Sequence, residues 1–241
     1  MIALLKEIRQ NKMQKIIYSI QFYIGKIVLF LIEFPIRLVT KNEVILSNEN
    51  FSWTEIVEAN FEQIKQEVLT ILHQNQTLDI TYFSEEQHKV IKPTYWSVFP
   101  LVTFGNVITD NIKKCPQTYN VLQQIPNCTT AFFSILQPHA KIARHRGIYK
   151  GYLRYHLCVK APINTDECAL VFDKITYHWK EKESVIFDDT FYHSVYNHSD
   201  EIRIVLYVDF IRPLPQPLFF LSKSMNELIR NSRYIKNLKT K

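Results

Sequence analysis

Glycine is scarce in this chain, with four in 241 residues, and two of those, Gly147 and Gly151, stand only four positions apart. Nucleotide-phosphate sites need glycine-rich turns, and neither GxGxxG nor GxxxxGK[ST] occurs. GxSxG and HExxH are missing as well, which removes the serine-hydrolase elbow and the helical zinc-protease site. Cysteine is limited to Cys115, Cys128, Cys158 and Cys168, with no CxxC and no zinc-like interval. Cys158 and Cys168 fall in apolar strand-like runs, so buried free thiols and a reducing compartment are expected. Acidic residues are outnumbered 23 to 29. The excess lies at the ends, with seven Lys/Arg against three Glu in residues 1–45 and six against one in 221–241. Basic ends on a mildly acidic body suit an anionic membrane surface. The middle lacks the basic face interleaved with aromatics that nucleic acid would need, so no nucleic-acid partner is expected.

Long apolar runs are confined to one place. Lys6, Arg9, Lys12 and Lys15 precede "IIYSIQFYIGKIVLFLIEFPI" (16–36). No small-residue cleavage site follows, which argues against a cleaved signal. The length would span a bilayer, but Lys26 and Glu33 would be costly in hydrocarbon. Ser19, Lys26 and Glu33 recur every seven residues, as on a helix lying in the membrane interface. A helix packed on the protein's own surface has the same pattern.

Residues 51–75 read as one amphipathic helix, with Ser52 and Glu55 as a capping box and Ile56, Val57, Phe61, Ile64, Val68, Leu69 and Leu72 at helical spacing. From about residue 94 the texture changes to short β-branched and aromatic runs at 130–137, 152–159, 168–172, 184–187 and 203–211. Short strands at even spacing imply a mainly β fold, a sandwich or double-sheet jelly roll. After Pro215 the tail reads as helical.

Chemistry concentrates around two of the eight histidines. His145 precedes the Gly147–Gly151 loop, and His193 ends "VIFDDTFYH". The strand after Gly151 alternates, placing Tyr152, Arg154, His156 and Cys158 on one face and Leu153, Tyr155, Leu157 and Val159 on the other. The first face points either to solvent or to an anion bound in a polar interior. Asn197 to Asp200 are turn formers, so a hairpin is expected to bring Arg203 back beside His193. Arg203 lies in the apolar run "EIRIVLYVDF" and calls for a carboxylate partner. Two imidazoles with a buried guanidinium suit an Fe(II) centre that keeps positions open for O₂ and a bidentate 2-oxo acid. The usual third ligand of such a centre is a carboxylate two residues after the first histidine, where this chain has Gly147.

The motifs "FSILQPHAKIARHRG", "LRYHL", "FDDTFYHSVYN" and "RIVLYVDFIRP" resemble the aspartyl/asparaginyl β-hydroxylase family of Fe(II)- and 2-oxoglutarate-dependent dioxygenases over residues 94–215. The resemblance implies a double-stranded β-helix core at about 94–215 with flanking N-terminal helices and a helical C-terminal tail. It divides the chain into a membrane-associating segment, 1–45, and a dioxygenase domain, 46–241. It places the iron on His145 and His193 without a carboxylate, 2-oxoglutarate on Ser134, Arg154, His156 and Arg203, and a supporting role on Asp188 and Asp189. Within the family, "HRGxYKGxLRYHL" is most similar to the branch that hydroxylates acyl chains of membrane lipids such as lipid A or ornithine lipids. The peptidyl Asp/Asn branch and a binding module of the same fold without catalysis are the alternatives. The lipid reading implies membrane association with the active site on the cytoplasmic side. "QPHA" departs from the family's Pro-Gly turn, and Ser194 and Tyr196 from its usual Glu and Trp.

Overall fold

The computed structural model describes residues 30–82, 95–147 and 149–231. The basic lead-in, Ser19, Lys26 and most of the apolar run 16–36 therefore lie outside the described residues. The chain divides into two units, Met1–Lys41 and Asn42–Lys241. In the first, residues 30–39 form helix α1, on which Arg37 donates to Glu33 at 2.6 Å one turn earlier. Phe30, Leu31, Phe34, Leu38 and Val39 of α1 are exposed. Among the described residues no helix is long and apolar enough to cross a membrane.

The second unit opens with β1 (Ile45–Leu46) and then helices α2 (Trp53–Ala59) and α3 (Phe61–His73). The helix expected over 51–75 thus breaks at Asn60, whose backbone N–H turns back to Val57 O and whose side-chain amide donates to Ile56 O. The expected capping box is also absent. Ser52 already has helical angles, φ −54° and ψ −23°, and its side chain caps nothing. A cap hydroxyl reaches the next turn only from an extended backbone. After α3 come β2 (Leu78–Asp79), β3 (Trp96–Thr103), β4 (Asn106–Val107), α4 (Thr109–Ile112) and α5 (Pro116–Leu122). The carboxylate of Glu67 in α3 caps α5, accepting from the backbone N–H of Gln117 and Thr118 and from the Thr118 hydroxyl.

Eight strands then divide between two antiparallel sheets, crossing at every step except the β8–β9 hairpin. They are β5 (Cys128–Leu136), β6 (Lys141–His145), β7 (Tyr152–Lys160), β8 (Cys168–Phe172), β9 (Thr176–His178), β10 (Ser184–Phe187), β11 (His193–Asn197) and β12 (Arg203–Ile211). The larger sheet runs β1-β10-β7-β12-β5-β3-β2, with β4 also paired to β3, and the smaller runs β6-β11-β8-β9. Successive crossing between two facing sheets is the double-stranded β-helix, and the five runs read as strands all lie within it. Helix α6 (Leu218–Arg230) closes the described chain.

The hairpin expected between His193 and Arg203 does not form. β11 pairs with β6 and β8, while β12 pairs with β5 and β7 in the other sheet. Asn197 makes the crossing: its amide donates to Gln137 O and Glu201 O, and its oxygen accepts from the Ser199 hydroxyl. Those bonds hold the turn to the neighbouring loop, and both flanking strands already have partners on each side.

The alternation of β7 decides the packing. Leu153, Tyr155, Leu157 and Val159 join Val57, Phe61, Ile64 and Val68 in a core between the large sheet and its helices. Cys158 belongs to a second core between the sheets, with Trp96, Leu170, Phe172, Trp179, Phe187 and Tyr207. His156 packs there too, against Trp179, Phe187 and Tyr207. Of the two destinations open to this face, it points inward. Two substitutions check the helix assignments in a thermal or urea melt. Ser52→Ala should change stability by less than about 0.5 kcal/mol, and Glu67→Ala should cost about 1–2 kcal/mol through the uncapped α5.

Candidate metal and anion site

His145 ends β6 and His193 begins β11, and the two are direct cross-strand partners in the small sheet. Their ring centroids are 4.3 Å apart. Each ring meets the carbonyl two residues before it, His145 Nδ1 with Ala143 O and His193 Nδ1 with Phe191 O, both at 2.8 Å. A neutral imidazole that donates from Nδ1 keeps its lone pair on Nε2, the arrangement a metal ligand needs. Burial supplies the neutrality. It pushes the His145 pKa below 6.5 and takes that of His193 down to about 3, with His145 and Arg154 nearby adding to the effect on His193.

The space at Gly147 is filled from the β10–β11 connection. A β-carbon on Gly147 would lie 2.2 Å from Asp189 Oδ2, and the Gly147 N–H donates to Asp189 O at 2.7 Å. The space that a side chain at position 147 would take is therefore the seat of the Asp189 carboxylate. Gly151 likewise provides clearance, because a β-carbon there would meet the Tyr149 ring at 2.2 Å. Neither glycine needs a left-handed backbone. His139 does adopt φ +58° in the "QPHA" turn, where it contacts Asp200 away from the site.

The two arginines have different surroundings. Arg154 meets Asp189 Oδ2 at 2.8 Å and grips Asp209 with Nε at 2.8 Å and Nη2 at 3.1 Å. Its guanidinium lies 4.4 Å from the Tyr207 ring centre, and the Tyr207 hydroxyl donates to Asp209. Arg154 is thus already neutralised by protein carboxylates. Arg203, 2% exposed, lacks the expected carboxylate partner among the described residues. Its guanidinium lies 4.6 Å from the Trp179 ring centre, Nη1 reaches Ser134 Oγ at 3.5 Å, and Nε has no hydrogen-bond partner. Ser134 Oγ also accepts from Trp96 Nε1 at 2.9 Å. Both ring nitrogens of the buried His156 are unpartnered, and burial, with Arg203 and Arg154 nearby, holds it neutral. Buried donors without acceptors carry a desolvation penalty that a bound anion would relieve.

Asp188 and Asp189 diverge although adjacent. Asp188 accepts from Lys150 and Arg212, which overcome the opposing effect of burial and lower its pKa. Asp189 shares its one cation with Asp209, so burial prevails and its pKa rises. Among the described residues no group of three or more His, Cys, Asp and Glu could hold a metal ion, so a metal here would have His145 and His193 as its protein donors. Two neutral imidazoles with free lone pairs fit a divalent ion with open positions, and Arg203 fits a carboxylate beside it. The structure thus brings together His145, His193, Ser134, His156 and Arg203, and places Arg154 on Asp189 and Asp209. Asp209, Tyr207, Trp96 and Trp179 went unread in the sequence. Asp209 was findable, because Arg203, Val205, Tyr207 and Asp209 share one face of β12 by the alternation already applied to β7.

Gly147→Ala should displace Asp189 from Arg154 and lower the melting point by roughly 1–3 kcal/mol equivalent, measured by calorimetry. The pH dependence has a fixed sign. His193 binds its proton more weakly folded than unfolded, so the metal-free protein should lose stability as pH falls from 6.5 towards 3. The slope for that one proton is about 1.4 kcal/mol per pH unit, and His193→Gln should remove it from the pH series of melts.

Residues 58–213, which contain all of these side chains, match the family described as Aspartyl/Asparaginyl beta-hydroxylase. The ornithine lipid ester-linked acyl 2-hydroxylase of Rhizobium tropici is 35% identical over 196 residues, covering 81% of this chain and 70% of its own. The human aspartyl/asparaginyl beta-hydroxylase is 28% identical over 169 residues, 67% of this chain and 22% of its own. The human aspartate beta-hydroxylase domain-containing protein 2 is 32% identical over 127 residues, 49% of this chain and 34% of its own. This chain therefore matches only a minor part of either human relative. Among solved structures, a Pseudomonas putida prolyl-4-hydroxylase aligns over 64% of this chain and 88% of its own, at 11% identity and a TM-score of 0.40. With the family match running from α2 to the end of β12 and enclosing the paired histidines, the chain belongs to the aspartyl/asparaginyl β-hydroxylase family.

Proposed function

We propose that this protein is an Fe(II)- and 2-oxoglutarate-dependent hydroxylase acting on an acyl chain of a membrane lipid of the lipid A or ornithine lipid kind. The observation that carries the chemistry is the cross-strand pair of neutral imidazoles, His145 and His193, with the unpartnered His156 ring near both His193 and the unpaired guanidinium of Arg203. When bound, the iron with 2-oxoglutarate and O₂ supplies hydroxylation of an unactivated C–H bond. The chain's own groups do the rest. His145 and His193 present Nε2, each ring fixed by its carbonyl. Arg203 and Ser134 take the distal carboxylate of 2-oxoglutarate, with Trp179 beneath the guanidinium. His156, kept neutral, can donate one ring N–H to the same molecule. Arg154 reaches it only by sharing its guanidinium with Asp189 and Asp209, so its first task is to hold those carboxylates. Phe172, Phe187 and Tyr207 pack in the core around His156 and His193 and would exclude water from the site.

The lipid assignment is supported by the 35% identity to a protein named as an ornithine lipid acyl hydroxylase and by the basic ends of the chain. Those ends favour an anionic membrane surface. Four free cysteines, three of them buried, agree with a site on the cytoplasmic side. The peptidyl reading draws on the family name and the human relatives.

Purified protein with Fe(II) and O₂ should convert 2-oxoglutarate to succinate, and His193→Ala should abolish it. Arg203→Lys keeps the charge but loses the fork, and should raise the KM for 2-oxoglutarate by about tenfold or more. Mass spectrometry of lipids from cells with and without the protein should show one added oxygen on an acyl chain. Unchanged lipids beside hydroxylated Asp or Asn would favour the peptidyl reading, and no iron affinity would favour a binding module.

A further inference from the structure

Helix α6 half-buries Leu218, Phe219, Leu221 and Met225, yet its most buried residues are polar and two apolar residues stand exposed beside Lys223 and Glu227. A surface helix ordinarily buries an apolar stripe and shows its polar residues to water. On α6 the inner stripe is Ser222, Asn226 and Arg230, spaced by four. Ser222 bonds the Tyr149 hydroxyl at 2.9 Å, Asn226 accepts from the Tyr152 hydroxyl at 3.3 Å, and Arg230 donates to Asn106 at 3.3 Å. Ser222 and Asn226 are buried, whereas Phe220 is 69% and Leu228 is 68% exposed. A single exposed apolar residue needs no explanation. Polar burial and apolar exposure on the same helix do, because each choice is unfavourable if water lies outside.

Two further features, a cavity at the start of the helix and the charge of the sequence from residue 221 onward, bear on what lies outside. At the start of α6, Phe219 lines an apolar cavity of about 420 Å³ with Phe51, Trp53, Phe210 and Leu214. Residues 221–241 carry six Lys/Arg against one Glu, a charge that complements an anionic surface. We propose that the outward face of α6 is a docking surface for an anionic phospholipid bilayer, with Phe220 and Leu228 entering the headgroup–acyl boundary. The inner stripe of the helix is fastened to Tyr149 and Tyr152, so the docked face is tied to the segment that runs from Gly147 into β7. The proposal extends the reading of a membrane lipid as substrate by naming the face that meets the membrane.

The test uses the full chain and needs neither iron nor 2-oxoglutarate, so it is independent of the succinate assay. A polarity-sensitive fluorophore is placed at Phe220→Cys, Leu228→Cys or, as a control, Ile163→Cys, which is 93% exposed on another part of the fold. The background is Cys128→Ala, since the other three native thiols are buried. Phosphatidylcholine vesicles containing phosphatidylglycerol should shift the labels at 220 and 228 to the blue and shield them from iodide, leaving 163 unchanged. Phosphatidylcholine alone should give a much smaller shift. Unlabelled protein with Phe220→Asp and Leu228→Asp, shown to melt like the parent, should sediment with anionic vesicles about tenfold more weakly. Labels that stay aqueous while the full chain sediments with anionic vesicles would overturn the proposal. So would a shift that appears without vesicles and grows with protein concentration, which would assign the face to a second copy of the chain.

Discussion

Everything at the site depends on the register of β6 against β11. That register sets His145 directly opposite His193, and a slip of one residue would send one ring to the far face of the sheet. Several local features guard it. Each imidazole is tied to the carbonyl two residues upstream, and the Asn197 amide anchors the far end of β11 to Gln137 and Glu201. Gly147, just past β6, is joined by its N–H to Asp189 O, four residues before His193. The segment after β6 and the β10–β11 connection are therefore fixed to each other as well as to their own strands.

Charge placement follows from the same construction. Asp188, Asp189 and Asp209 are buried or half-buried, and Lys150, Arg212 and Arg154 meet them. Three anions and three cations leave this network balanced, which is how a protein keeps ionised groups in a dry interior. Arg203 lies outside the network, against the Trp179 ring and the Ser134 hydroxyl. Its neighbours Cys158 and Cys168 have burial-raised pKa values and offer no counter-charge at neutral pH. A guanidinium buried without an anion is unfavourable by the rules the rest of the chain obeys. Such exceptions are where function is to be sought.

Much of this was legible because it is local. The period-two pattern of 152–159 correctly separated Arg154 and His156 from Tyr155 and Leu157, and the strands at 168–172, 184–187 and 203–211 agree with the observed ones to the residue. What was misread involves partners distant in sequence. Asn197 to Asp200 look like a hairpin turn, and only the strands already flanking β11 and β12 forbid it. Gly147 reads only as a missing carboxylate ligand, and only the folded chain brings Asp189 against it. Arg154 and Arg203 look equivalent on paper. Asp209 separates them, and it is identifiable only when the alternation is carried along β12 opposite β7. Ser52 failed for a different reason. The motif fits a cap, but the Ser52 backbone itself had already turned helical.

The division of labour between the arginines also bears on which ligand the cavity can accept. Two neutral imidazoles would add no negative charge to a divalent ion, so the ion would keep its two positive charges and Arg203 would add a third. The carboxylate that might have offset them, Asp189, is engaged by Arg154. A monocarboxylate could meet the ion or the guanidinium, but not both. A dicarboxylate with a short spacer can satisfy both at once, and one of its oxygens would accept from the single protonated nitrogen of His156. On the proposed reading, a preference for a dicarboxylate over a simple acid would rest on this charge balance rather than on a pocket shaped closely around its carbon chain.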